Sequence, residues 1–242
     1  MCSSDLINQH YDNQEIHVLL EGGISEKYGR KDSTILPNVT VDEALEVGGS
    51  SGGIVLTGTS YDSFGAQSYA GAIILKQNVA FTTSHESVSF QRAINSFETP
   101  KNIEVVTGSG DIEFLRTVGG FSRIGSMSID TSGSVTFGRS LMLAGAFSQY
   151  SGGAVSIAGG IEMETANPIA FTGPITLTNN VLLKSSGGDV TLSGSVNGGY
   201  SLTISACEEG TVTLHDVGNQ TRLQNLVVRD RKSTRLNSSH QI

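Results

Sequence analysis

The sequence predicts an all-β fold, a right-handed parallel β-helix (β-solenoid) with about 21–24 residues in each three-strand rung. Two observations predict it. Between Ile169 and Val228 the apolar residues come in couplets at i and i+2, such as Ile169/Phe171, Ile175/Leu177, Val190/Leu192 and Val212/Leu214. Residues two apart point to the same face of a strand. The couplets recur with one shared period: Ile169, Val190 and Val212 are 21 and 22 apart, while Ile175, Val196 and Val217, and likewise Val181, Leu202 and Leu223, are 21 and 21 apart. Three interleaved ladders with a common period describe a coil of three short strands per turn, each turn stacked on the last.

The pattern also recurs at longer range. Ile73, Leu75, Val79 and Phe81 match Ile175, Leu177, Val181 and Leu183 at an offset of 102, and Val118, Ile124, Met127 and Ile129 match Val217, Leu223, Leu226 and Val228 at 99. This predicts a super-repeat of about 100 residues, with solenoid repeats over 51–229, a first copy over about 51–150 and a partial second over 151–229.

Composition fits a narrow coil. The 242 residues include 30 Gly, no Trp and 6% aromatics. Abundant Gly supplies the frequent turns that a coil needs. The net charge of −8 gives no basic footprint for nucleic acid, which is not expected as a partner. No apolar run reaches the ~18 residues of a membrane helix, so no membrane contact is expected within the chain.

The two ends read as foreign to the pattern. Met1–Leu6 and the run from Asp230 to His240 resemble the translation of short-read sequencing adapters, with Gln241-Ile242 fitting a sample index. Residues 1–6 and 230–242 are therefore expected to add nothing to the fold. Within residues 7–229 Cys207 is the single cysteine.

Residues 7–50 read as a divergent rung or a linker. Glu15–Leu20, Ile35 and Val39–Val41 suggest strands, Glu26–Asp32 a charged loop, and Asp42–Glu46 a short helical turn. From Ser51 the couplets become regular. Val88, Ile112 and Val135 are 24 and 23 apart, which places Phe90, Phe114 and Phe137 above one another. They read as core; an aromatic ligand platform is the alternative. The step from Leu141 to Val155 is short for a turn and predicts a bulge, a skipped strand or a protruding loop around Ala146–Gly153.

Corners are assigned to Gly187-Gly188-Asp189, Asn197-Gly198-Gly199 and Glu208-Glu209-Gly210. Gly accepts positive φ without steric cost. Asn197 and Asn219, 22 apart, are expected to stack as an Asn ladder. Asn38-Val39-Thr40 and Asn219-Gln220-Thr221 fit the glycosylation acceptor pattern, which matters only in a secreted eukaryotic chain.

Gly65–Ile73 (Gly-Ala-Gln-Ser-Tyr-Ala-Gly-Ala-Ile), Gly187–Leu192 and Ser195–Gly198 resemble the β-strand repeats of very large bacterial surface proteins, the filamentous-haemagglutinin-like or autotransporter-type adhesins. The resemblance covers about Ser51 to Arg229. It implies an extracellular or outer-cell-surface location and weak multivalent contacts with host or neighbouring-cell glycans or proteins.

Reactive constellations are not evident. His10, His17, His85 and His215 lack metal-ligand spacing. Glu208-Glu209 reads as a solvated corner. The Gly-rich segments lack the Lys-Ser/Thr of a phosphate loop, Gly187-Gly188-Asp189 lacks the spacing of a calcium-binding nonapeptide, and Ser132 and Ser134 form no nucleophile elbow. No catalytic, cofactor-binding or metal residue is assigned, and no cofactor. Three functions remain: a non-catalytic structural or adhesive repeat segment, which the pattern favours; a β-helical polysaccharide-active enzyme, for which Glu104, Glu113 and Arg116 are the nearest cluster; and a passive glycan-binding module.

Overall fold

The computed structural model describes residues 16–17, 33–48, 53–163, 167–207, 209–229 and 234–236. Its strands pair in parallel, and they stack as a β-solenoid of about 9 turns, consistent with a right-handed coil. Each coil has three sides. The first side begins with Thr34–Leu36 and continues through Ile54–Leu56, Ile73–Leu75 and Ile94–Ser96; it resumes with Leu141–Leu143, Ile161–Met163, Val181–Lys184, Ser201–Ser205 and Asn225–Arg229. The second side runs from Val39–Val41 to Val212–Leu214, and the third from Leu45–Val47 to Val196–Asn197.

The couplets explain these strands. In Val88–Phe90, Ile112–Phe114 and Val135–Phe137 the outer two residues are buried and the middle one is partly exposed. A strand of three residues can bury only two side chains inward, so every apolar-x-apolar triplet supplies one side of the coil. The registers agree with the ladders: Val190 lies between Ile169 and Val212, and Val196 between Ile175 and Val217. One ladder differs. Leu202 pairs with Leu226, not Leu223, because residues 218–223 form a loop before the strand begins.

Aromatic rings make a continuous spine inside the coil. On the third side Tyr69, Phe90, Phe114 and Phe137 are in register, with centroids 5.3, 4.9 and 5.4 Å apart and planes within 13°. Phe81 meets Tyr69 and Phe90 edge-on from the second side, and Phe147 meets Phe137 in the same way. Phe90, Phe114 and Phe137 are at most 1% exposed, so they are core and offer no ligand platform.

Several expectations are revised. Asp42–Glu46 is not helical: Leu45–Val47 is a strand paired with Gln67–Tyr69, since Leu45 and Val47 are an i, i+2 couplet and the neighbouring coil offers a free edge. The solenoid thus extends upstream of Ser51 to Thr34. Of Glu15–Leu20, Ile16–His17 pairs with Leu45-Glu46; Glu26–Asp32, Met1–Leu6 and Ser51 lie outside the described residues.

No strand is skipped at Ala146–Gly153. Phe147–Tyr150 pairs with Met127–Asp130, and Val155 with Val135. Leu141 and Val155 belong to different sides, so their separation was never a full turn; the coil there is simply 20 residues long. The shortest steps are 19 residues, from Ile54 to Ile73 and from Ile124 to Leu143.

The offset of about 100 residues is not a whole number of coils. Ile73 lies on the first side and Ile175 on the third, four coils and two sides later; Val79 and Val181 are displaced likewise. The three sides are close enough in shape that the same couplet pattern serves on any of them.

Thr234–Leu236 pairs in parallel with Val212–Leu214, which corrects the expectation that residues 230–242 add nothing to the fold. The last edge of a sheet leaves backbone groups unpaired, and a Thr-x-Leu triplet suffices to meet them.

Corners are held from inside and outside. Inward Ser/Thr residues at the end of second-side strands donate to corner carbonyls: Thr107 Oγ1 to Gly110 O at 2.7 Å and Thr131 Oγ1 to the same oxygen at 2.7 Å. At Gly173 an added Cβ would collide with the carbonyl oxygen of Gly153, one coil below, so successive corners stack backbone on backbone. Outside, Asn78 Oδ1 accepts the Asn102 N–H and Asn102 Oδ1 the Ser126 N–H, at 2.9 and 2.8 Å.

Candidate functional site

Of the residues nearest to a catalytic cluster, Glu104 is separated from Glu113 and Arg116. Glu104 points outward from the second side, between Ala80 and Ser128. Glu113 points outward from the third side, between Ser89 and Thr136, and its Oε2 accepts from Ser89 Oγ at 3.2 Å. Arg116 is exposed at the corner that follows. Two carboxylates on different sides of the coil cannot flank one substrate bond.

His85 and His215 lie at corners. His85 has φ 74° and its Nδ1 is 3.4 Å from Ser109 Oγ; His215 Nδ1 is 3.2 Å from Asp216 Oδ2 at the surface. His10, Glu208 and the side chain of His17 lie outside the described residues, while Glu209 is exposed. Among the described residues no three His, Cys, Asp or Glu side chains are placed to share a metal ion.

The polar residues singled out in the sequence hold corners. Asp189 Oδ1 accepts the Thr211 N–H at 2.8 Å. Ser132 Oγ donates to Gly108 O at 3.0 Å. Ser134 donates both its hydroxyl and its N–H to Asp111 Oδ1 at 2.7 Å. The hydroxyl bond and then the backbone bond hold the Asp111 carboxyl below its ordinary value. Asn197 does not stack on Asn219; its Oδ1 accepts the N–H groups of Gln220 and Thr221 at 2.9 and 3.1 Å.

Two loops replace strands. At Val118–Ile124 and Val217–Leu223 a Val forms an isolated parallel bridge, and the following Gly119 or Gly218 takes φ 75° or 70°. In the first, Phe121 is 96% exposed. These loops underlie the match at offset 99, and only the placement of Asn95 and Asn197 one coil earlier shows how they are held.

Sequence reasoning also missed Gln67 and Gln149, both about 1% exposed. Gln67 occupies a ladder position between Leu45 and Val88. Its Nε2 donates to Tyr61 O and Thr82 O at 2.8 Å, and its Oε1 accepts from Tyr69 Oη at 2.9 Å. The signal was a Gln at an i, i+2 position with Tyr.

Outward positions of the third side form a row of small hydroxyl residues, Ser68, Ser89, Thr136, Ser156 and Thr176, interrupted by Glu113. The class defined is a three-sided parallel β-solenoid with a closed apolar core and a polar exterior. No family model, characterised protein or solved structure matches the chain.

Proposed function

We propose that this chain is a non-catalytic structural and adhesive repeat segment of a large exported bacterial surface protein, working at the outer cell surface. The observation that carries this reading is the hydroxyl row of the third side, which repeats one weak contact chemistry from coil to coil. Many equivalent contacts on one rigid body suit multivalent binding, where avidity exceeds any single affinity. Separation of Glu104 from Glu113 supports the same reading over a hydrolytic one. Partners on this reading are glycans or proteins of a host or a neighbouring cell.

The test is incubation of the purified chain with a panel of plant and host polysaccharides and with whole cells. Binding without turnover, strengthened when copies are linked in tandem, is expected. Release of reducing ends or unsaturated products, abolished by changing Glu113 or Arg116, would overturn the reading.

A further inference from the structure

We propose that the edge between the third and first sides binds a linear acidic polysaccharide through Arg92, Arg116 and Arg139. The inference rests on the reading above and names a ligand class for it. Phe90, Phe114 and Phe137 are in register on the third side. The pairing continues one residue further, because Leu115 N donates to Phe90 O and Gly138 N to Phe114 O, at 3.0 and 2.8 Å. Arg92, Arg116 and Arg139 follow directly, so three successive coils carry an arginine at one corner position, and all three are exposed. The coil spacing sets their Cα atoms roughly 4.8 Å apart along the axis.

The row is bounded. In the adjoining coils the equivalent positions are Gly71, Gly159 and Asn179, and Gly159 packs directly on the Arg139 backbone. Like charges side by side on neighbouring strands are unfavourable. A chain of net charge −8 therefore gathers three cations where folding alone gives no reason for them.

The chemistry that fits is a chain of evenly spaced anions. Guanidinium groups pair bidentately with carboxylate or sulfate, and a straight edge follows a straight polymer. The hydroxyls of Ser89 and Thr136 on the adjacent third side suit sugar hydroxyls. Glu113, outward on the same side, opposes an anionic ligand and limits affinity. Nucleic acid is the weaker match, since a single-stranded chain needs a succession of aromatic faces for its bases, whereas this edge offers Leu115 and, in the loop beyond Arg116, the exposed Phe121 rather than one ring per coil.

The experiment measures binding of the full chain to sodium polygalacturonate and to dextran sulfate, with neutral dextran and duplex DNA beside them, at low and raised ionic strength. Expected is salt-sensitive binding to at least one polyanion, weakened roughly three- to fivefold by each single Arg→Gln change and abolished in R92Q/R116Q/R139Q, whose melting temperature is unchanged or higher. Glu113→Gln should tighten binding. Preference for polygalacturonate or for dextran sulfate distinguishes carboxylate from sulfate as the anion, and either supports the proposal. No binding to either polyanion overturns it, as does binding that survives in the triple variant or DNA bound as tightly as polysaccharide. A triple variant that fails to fold is replaced by the three single changes, which must each weaken binding. Cleavage of the polysaccharide would instead overturn the non-catalytic reading.

Discussion

The side-chain oxygen of Asn95 accepts the backbone N–H of Phe121 at 2.9 Å, across 26 residues of chain. It also accepts the Ser122 N–H at 3.1 Å, and around it Gly119 N donates to Ile94 O and Ser96 N to Ser122 O. Asn197 repeats the arrangement: Gly218 N donates to Val196 O, and Gly198 N to Thr221 O. One outward carboxamide thus replaces two ladder hydrogen bonds where a loop interrupts the strand. Asn95→Ala and Asn197→Ala should each destabilise, the second more, because Asn197 is 8% exposed and water cannot readily replace it. Denaturant unfolding should show a loss of about 1–3 kcal/mol for Asn197→Ala and a smaller one for Asn95→Ala. Equal stability of both variants and the parent would refute this role.

The strand faces are tested by neighbours. Val190 is fully buried between Ile169 and Val212, whereas Thr191 faces outward between Ala170 and Thr213. A charge at Val190 has no partner inside the coil. Val190→Asp should cost more than about 3 kcal/mol or prevent folding, and Thr191→Asp should stay within about 1 kcal/mol of the parent. Thermal melts of the two variants decide the point, and similar losses would mean that the faces are reversed.

The couplets made most of this fold legible, because one physical rule, an inward pair every strand, writes itself into the order of residues. Phe90, Phe114 and Phe137 could be stacked from spacing alone. The corners were harder. Asn197 looked like a partner for Asn219 because both recur after about one coil, yet a carboxamide at a corner gains more from two backbone donors than from its own kind. Leu45–Val47 was hidden because Asp42-Glu43 beside it favours a turn, and the strand forms only against the edge of the next coil. The arginine row was present in the same spacing, since Arg92, Arg116 and Arg139 are 24 and 23 apart, but residues outside the apolar couplets carry no hydrophobic signal to mark them.

Asp111 predicts an acid response. Its carboxylate is favoured in the folded chain by the Ser134 hydroxyl and N–H, so its folded value lies below the ordinary 3.8. The stabilisation is present above the unfolded value and is lost as pH falls through the folded one. An NMR titration of the Asp111 carboxyl should give a midpoint below 3.8, moving upward in Ser134→Ala. A midpoint at or above the ordinary value would show that the hydrogen bonds are absent in solution.

Gln67 offers the sharpest test of the core. Its carboxamide joins Tyr61 O and Thr82 O to the Tyr69 hydroxyl, and burial raises the Tyr69 hydroxyl well above its ordinary value, so that it remains a neutral donor. Gln67→Leu fills the ladder position with the residue type that flanks it, but strips the buried Tyr69 hydroxyl of its acceptor and two carbonyls of a donor. The unmet groups should outweigh the added apolar contact, at about 1–3 kcal/mol. Tyr69→Phe alone keeps the ring stacked on Phe90 at about the present 5.3 Å and leaves only the Gln67 oxygen unmet. Combining the two changes removes both members of the hydroxyl–carboxamide bond, so the double variant should be more stable than the sum of the single losses predicts. A double-mutant cycle by denaturant unfolding measures the difference. Strict additivity would show that Tyr69 and Gln67 do not meet inside the coil.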